Sequence, residues 1–156
     1  MKIFGYHLSD YLRLLAPLFG LIGAVWALRL VLEAAGAPGG LVKIASVTLA
    51  GTASILLAVV LIHTRRFGSY PNVVIAIALL LVWQQILIVA AIAFSALTRT
   101  TNVYSAPEYT PLHLSPAGHI AGHLTFGVGF GVLFGSALGC LFLWLLRKLV
   151  PLGGQR

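Results

Sequence analysis

The sequence predicts an all-α membrane protein: four transmembrane helices in a bundle, one domain over residues 1–156, with the N and C termini cytoplasmic. Three observations carry this reading. First, the chain is 60% hydrophobic and only 8% charged, whereas a soluble domain carries about 25% charged residues. Second, it contains four stretches long enough to cross a hydrocarbon core, which takes about 20 apolar residues each. Third, Lys2, Arg13, Arg65, Arg66, Arg147, Lys148 and Arg156 fall on one side of that arrangement, against Arg29, Lys43 and Arg99 on the other. Seven cations against three place the termini inside by the positive-inside rule. The expected location is a bacterial inner (plasma) membrane, crossed several times. The net charge of +7 is then a property of the membrane flanks. No basic run or aromatic platform points to nucleic acid, so the lipid bilayer is the first partner.

The elements follow in order. Residues 1–10 form a short amphipathic segment with Phe4, Tyr6 and Leu8, and Asp10 is spaced to pair with Arg13. The first span covers 11–34, with Pro17 as a kink site and Arg29 and Glu33 as an interfacial pair. Its apolar core precedes Ala35-Gly36-Ala37, which resembles a signal-peptide cleavage site, but the charges between core and site favour a retained helix. Pro38-Gly39-Gly40 makes an outer turn. The second span covers 41–63 and carries Thr48, Gly51, Thr52 and Ser54, small residues that favour close helix packing. The third covers 72–97. Its Gln84 and Gln85 sit near mid-membrane, where an unpaired amide is costly, so at least one must face protein. The outer loop 98–116 holds Tyr104, Glu108, Tyr109 and His113. Loops of this length are functional or disordered, and this one leads directly into the fourth span, 117–146.

The most regular feature of the chain lies in that last span. His119, His123, Gly127, Gly131, Gly135 and Gly139 recur every fourth residue. Such residues stack along one helix face, giving a ridge with two imidazoles at its head and bare glycine behind them. Gly127, Gly131, Gly135 and Gly139 read as a glycine zipper for close helix packing, against the chain's own helices, a second copy or another membrane subunit. On a straight α-helix the row drifts about 40° per step, or about 200° from His119 to Gly139. The histidine end is therefore expected to face away from the glycine contact, toward a different neighbour.

Candidate chemistry concentrates at the outer end. His119 and His123 are one turn apart and could share a divalent metal ion, with His113 and Glu108 completing the set. Imidazole suits zinc, copper, nickel and iron, and three protein ligands with an open position describe catalytic zinc. Ile120 follows the first histidine, so the Glu of the zinc-protease motif is missing. Haem is a weaker fit, because its second axial ligand needs a facing helix. The one pairing outside the cluster is His7 with His63 at the opposite side. The lone cysteine, Cys140, excludes an internal disulfide and two-cysteine redox chemistry.

Three functions remain compatible with these residues. The first is a subunit that assembles through its glycine ridge, as a homo-oligomer or an accessory part of a larger membrane complex. The second is a channel or uncoupled carrier for a small solute or metal ion, with Gln84, Gln85, Thr48, Thr52 and Ser54 along the route and histidines at its mouth. The third is a metal- or haem-dependent membrane enzyme. The absence of a mid-membrane acid or base argues against ion-coupled transport.

Overall fold

The computed structural model describes residues 2–106 and 115–150. Four helical segments are long and apolar enough to cross a membrane: Leu8–Ala34, Gly39–Thr64, Tyr70–Thr98 and Pro116–Leu149. The chain thus has the form of a multi-pass membrane protein. Each expected span is present, extended by a residue or a few at its ends.

The N-terminal segment differs from expectation. It is a two-stranded antiparallel hairpin, β1 (Lys2–Ile3) and β2 (Tyr6–His7), rather than one amphipathic run. Asp10 Oδ2 accepts from the His7 N–H at 2.8 Å, capping the first helix, α1 (Leu8–Ala34). That helix runs through Pro17 and buries Tyr11, Leu14, Leu15, Leu18 and Ile22, one stripe at helical spacing. It ends in a Schellman motif. Gly36 takes φ +68°, its N–H bonds to Glu33 O, and the Ala37 N–H bonds to Leu32 O.

The second span is broken. A six-residue helix, α2 (Gly39–Ile44), stops at Ala45, and α3 (Val47–Thr64) begins afresh. Ser46 makes the break by accepting from the Leu49 N–H at 3.3 Å, an N-cap inside what hydropathy reads as a continuous run. The helix α4 (Tyr70–Thr98) is the central one and packs against α1, α3 and the last helix. Its buried positions recur in pairs each turn, from Asn72-Val73 through Ala76-Ile77 and Leu80-Leu81 to Gln84-Gln85. The fourth span comprises α5 (Pro116–Gly122), a single π-helical turn over His123–Gly127, and α6 (Val128–Leu149).

One end of the bundle gathers the N-terminal hairpin, the end of the last helix and the α3–α4 turn. The buried Asn72 donates to Tyr11 OH at 2.7 Å and to Phe4 O at 3.2 Å, and accepts from the Ser69 N–H. Tyr11 OH in turn donates to Ile3 O. Tyr6 stacks on Phe67 at 3.9 Å. His63 Nε2 donates to Val150 O at 2.9 Å, and Arg147 reaches Gly68 O at 3.3 Å. At the opposite end the chain after α4 folds back. Asn102 Nδ2 donates to Ala91 O, and the Val103 N–H donates to Glu33 Oε2, both at 2.8 Å. These bonds bury Val103 and Tyr104 against the helices.

Candidate functional site

The site begins with the four-residue row of the last span. Its glycines face α4 and α3 of the same chain. A Cβ on Gly127 would lie 3.0 Å from Gln85, on Gly131 3.4 Å from Leu81, on Gly135 3.0 Å from Ile77, and on Gly139 2.5 Å from Ile77 and 3.1 Å from Val73. The partners step by four in the reverse sense, as two antiparallel helices with interlocking four-residue ridges require. Ile55 and Val59 of α3 close over Gly135 and Gly139. Gly129, off the row, has open space around it.

The histidines do not turn away from this contact, contrary to the expectation of drift. His123 Nδ1 bonds to Gln85 Oε1 at 2.8 Å, and the same glutamine covers Gly127. The cause is the π-helical turn at His123–Gly127. Its i→i+5 bonding places one extra residue in the turn. That sets the register back by about 100°, half the drift of an unbroken α-helix.

The two imidazoles also meet. His119 Nε2 and His123 Nε2 are 3.2 Å apart. With Gln85 Oε1 as an acceptor, His123 carries its proton on Nδ1, and its Nε2 accepts from the N–H of His119. Among the described residues no group of three His, Cys, Asp or Glu side chains could hold a metal ion. The expected partners Glu108 and His113 lie outside the described residues. At the other end, the His63 nitrogen Nε2 already bonds to the Val150 carbonyl, so a haem between His7 and His63 would have to displace that bond.

Two cavities meet at His123. One is a cleft of about 360 Å³ between α3, α4 and the last helix, lined by Thr48, Thr52, Gln84, Gln85, His123 and Gly131. Four of the five residues expected along a polar route therefore share one space. The fifth, Ser54, is fully buried and does not line the cleft. Gln84 and Gln85 are only 5% and 7% exposed, so both amides, and not one, face protein. The Gln84 amide fills the space a side chain at Gly51 would need. Beyond Leu138 the cleft ends where Gly139 packs on Ile77 and Val73, next to the fully buried Leu143.

Above the cleft lies a second cavity of about 540 Å³, lined by Arg29, Lys43, Ser46, Tyr104, His119 and His123 among others. Thr48, Ile88 and His123 line both spaces. The Arg29 guanidinium carbon sits 5.1 Å from the centre of the Tyr104 ring. Burial pushes the Tyr104 phenol up to about 12, with the Arg29 charge pulling the other way. Arg29, Lys43, Ser46 and Tyr104 were not expected at the site. Only Ser46 carried a local signal, as a serine placed before an apolar run. The other three reach the cavity from different elements, and nothing in their spacing relates them. No family model, curated protein or solved structure matches the chain.

Proposed function

We propose that the protein is a channel or uncoupled carrier for a small solute that enters at the His119 end. The observation that supports this reading is the cleft: two glutamine amides, two threonines and His123 line one space between largely apolar helices. In a membrane such groups are costly unless they serve packing or a polar solute. The charge bias puts the termini in the cytoplasm, so the cavity above the cleft faces outward. The four row glycines pack against α3 and α4 of the same chain.

Flux into liposomes tests the proposal. Purified protein in neutral lipid vesicles is expected to admit small polar solutes, and Gln85→Leu is expected to reduce the rate at least about tenfold, since it removes both the amide lining and the partner of His123. Vesicles no leakier than protein-free controls, or flux unchanged by Gln85→Leu, would overturn it.

A further inference from the structure

The chemical class of that solute follows from the polar atoms of the cleft. We infer that the cleft binds a small uncharged molecule through a carbonyl or hydroxyl oxygen, which accepts from the side-chain amides of Gln84 and Gln85. The inference rests on the carrier reading for its biological role and names the solute of that same site.

The first observation is a pair of buried amides with donors left over. Gln84 and Gln85 are 5% and 7% exposed and both line the cleft. The Gln84 side chain makes no hydrogen bond to any described residue. Gln85 makes one, from its Oε1 to His123 Nδ1 at 2.8 Å. Neither amide is sealed off, as the Ser54 hydroxyl is; both open on the cleft. An amide without a partner is costly between apolar helices. An oxygen bound in the cleft removes that cost.

The second is the direction of the donors. Gln84 turns its Oε1 onto bare Gly51: a Cβ there would collide with Oε1 but lie 3.7 Å from Nε2. Gln85 lies flat on Gly127, where a Cβ would be 3.0 Å from Cδ, 3.0 Å from Nε2 and 3.1 Å from Oε1. Its oxygen is held by His123. Both carbonyl oxygens are thus engaged, and both NH2 groups lack an acceptor among the described residues. On α3, the Thr52 hydroxyl gives its proton to Thr48 O at 3.0 Å, so its oxygen still accepts. Two amide donors with a hydroxyl acceptor suit a molecule carrying both an acceptor and a donor, such as a small amide, urea or an alcohol.

The third is charge. No Asp, Glu, Lys or Arg is among the described residues that line the cleft, and its one titratable side chain among them, His123, is bonded to Gln85. An ion entering the cleft gives up its hydration with no opposite charge to replace it. The engaged carbonyls leave no ring of oxygens for a cation. At about 360 Å³ the space is at the small end of ligand pockets, which run from about 300 to 1,000 Å³.

Pairs of probes equal in shape and different in charge test this. Full-length protein carrying isotope-labelled glutamine nitrogen, in neutral detergent, is followed by nuclear magnetic resonance. The side-chain signals are assigned with Gln84→Met and Gln85→Met. It is titrated with acetamide against acetate and with urea against guanidinium. Saturable shifts of the Gln84 and Gln85 signals are expected with acetamide or urea and not with their charged counterparts. Gln84→Met is expected to weaken acetamide binding about two- to tenfold, the worth of one hydrogen bond. Its melting temperature is expected to stay unchanged or rise, because the amide has no bond within the protein to lose. No saturable shift with either neutral probe, or equal shifts with acetate or guanidinium, would overturn the inference. So would a lowered melting temperature in Gln84→Met with acetamide affinity unchanged, which would make the amide a packing group. Swelling of vesicles in acetamide and urea separates site from carrier. Saturable shifts without swelling would sink the carrier reading and leave the site standing. Flux of solutes without any shift of the amide signals would do the reverse.

Discussion

At the scale of single residues, the same residue type does opposite things a few positions apart. A Cβ at Gly139 would sit 2.5 Å from Ile77 Cδ1, whereas one at Gly129 meets nothing within 4 Å. Overpacking costs about 1–3 kcal/mol, and removing a helical glycine in open space gains up to about 1 kcal/mol. Gly139→Ala is therefore expected to lower the melting temperature and Gly129→Ala to leave it unchanged or raise it, as measured by thermal unfolding in detergent. Equal effects would mean that the two glycines are not distinguished by packing. The burial of Gln84 and Gln85 was legible in the sequence, because a primary amide in an apolar run has to find protein. The role of Tyr104 was not, since a loop residue carries no periodicity and its place depends on the bond from Val103 to Glu33, 70 residues away in the chain.

Elements show where the sequence stops being informative. Span lengths are set by hydrophobicity, which local composition states directly, so all four helices were readable to within a few residues. Ser46 and the His123–Gly127 turn were not, because neither changes the hydropathy of its segment. Yet the first aims a helix terminus at the outer cavity, and the second keeps His123 and Gly127 on Gln85. The π-helical turn holds one residue more than an α-helix would, so its removal is a direct test. Deleting Leu124, an exposed residue in that turn, is expected to return the segment to α-helix and rotate His119 by about 100° off the cavity. Flux should fall while the helical signal in circular dichroism is retained. Unchanged flux would mean that the extra residue does not set the site.

The whole molecule is organised by its two ends. At the hairpin end, Asn72 joins the hairpin, α1 and α4 through three bonds, to Phe4 O, Tyr11 OH and the Ser69 N–H. Asn72→Ala removes a buried donor to Tyr11 OH and to Phe4 O and the acceptor of the Ser69 N–H, and is expected to cost about 1–3 kcal/mol. Combined with Tyr11→Phe, it should cost less than the sum of the two single changes, because they remove the same bond. Additive melting shifts would show that the two side chains act separately. The architecture was visible in the chain, but this end was not. Tyr11 and Asn72 are 61 residues apart, and only the folded bundle relates them.

The lacing at that end has a kinetic meaning on the carrier reading. A solute reaches the cleft from the His119 mouth without any bond in the Asn72, His63 and Arg147 seam being broken. Leaving on the far side means parting Gly139 from Ile77 and opening that seam. Residence and passage thus run on separate clocks, one set by a few side chains at the mouth and the other by the cohesion of an entire end of the bundle.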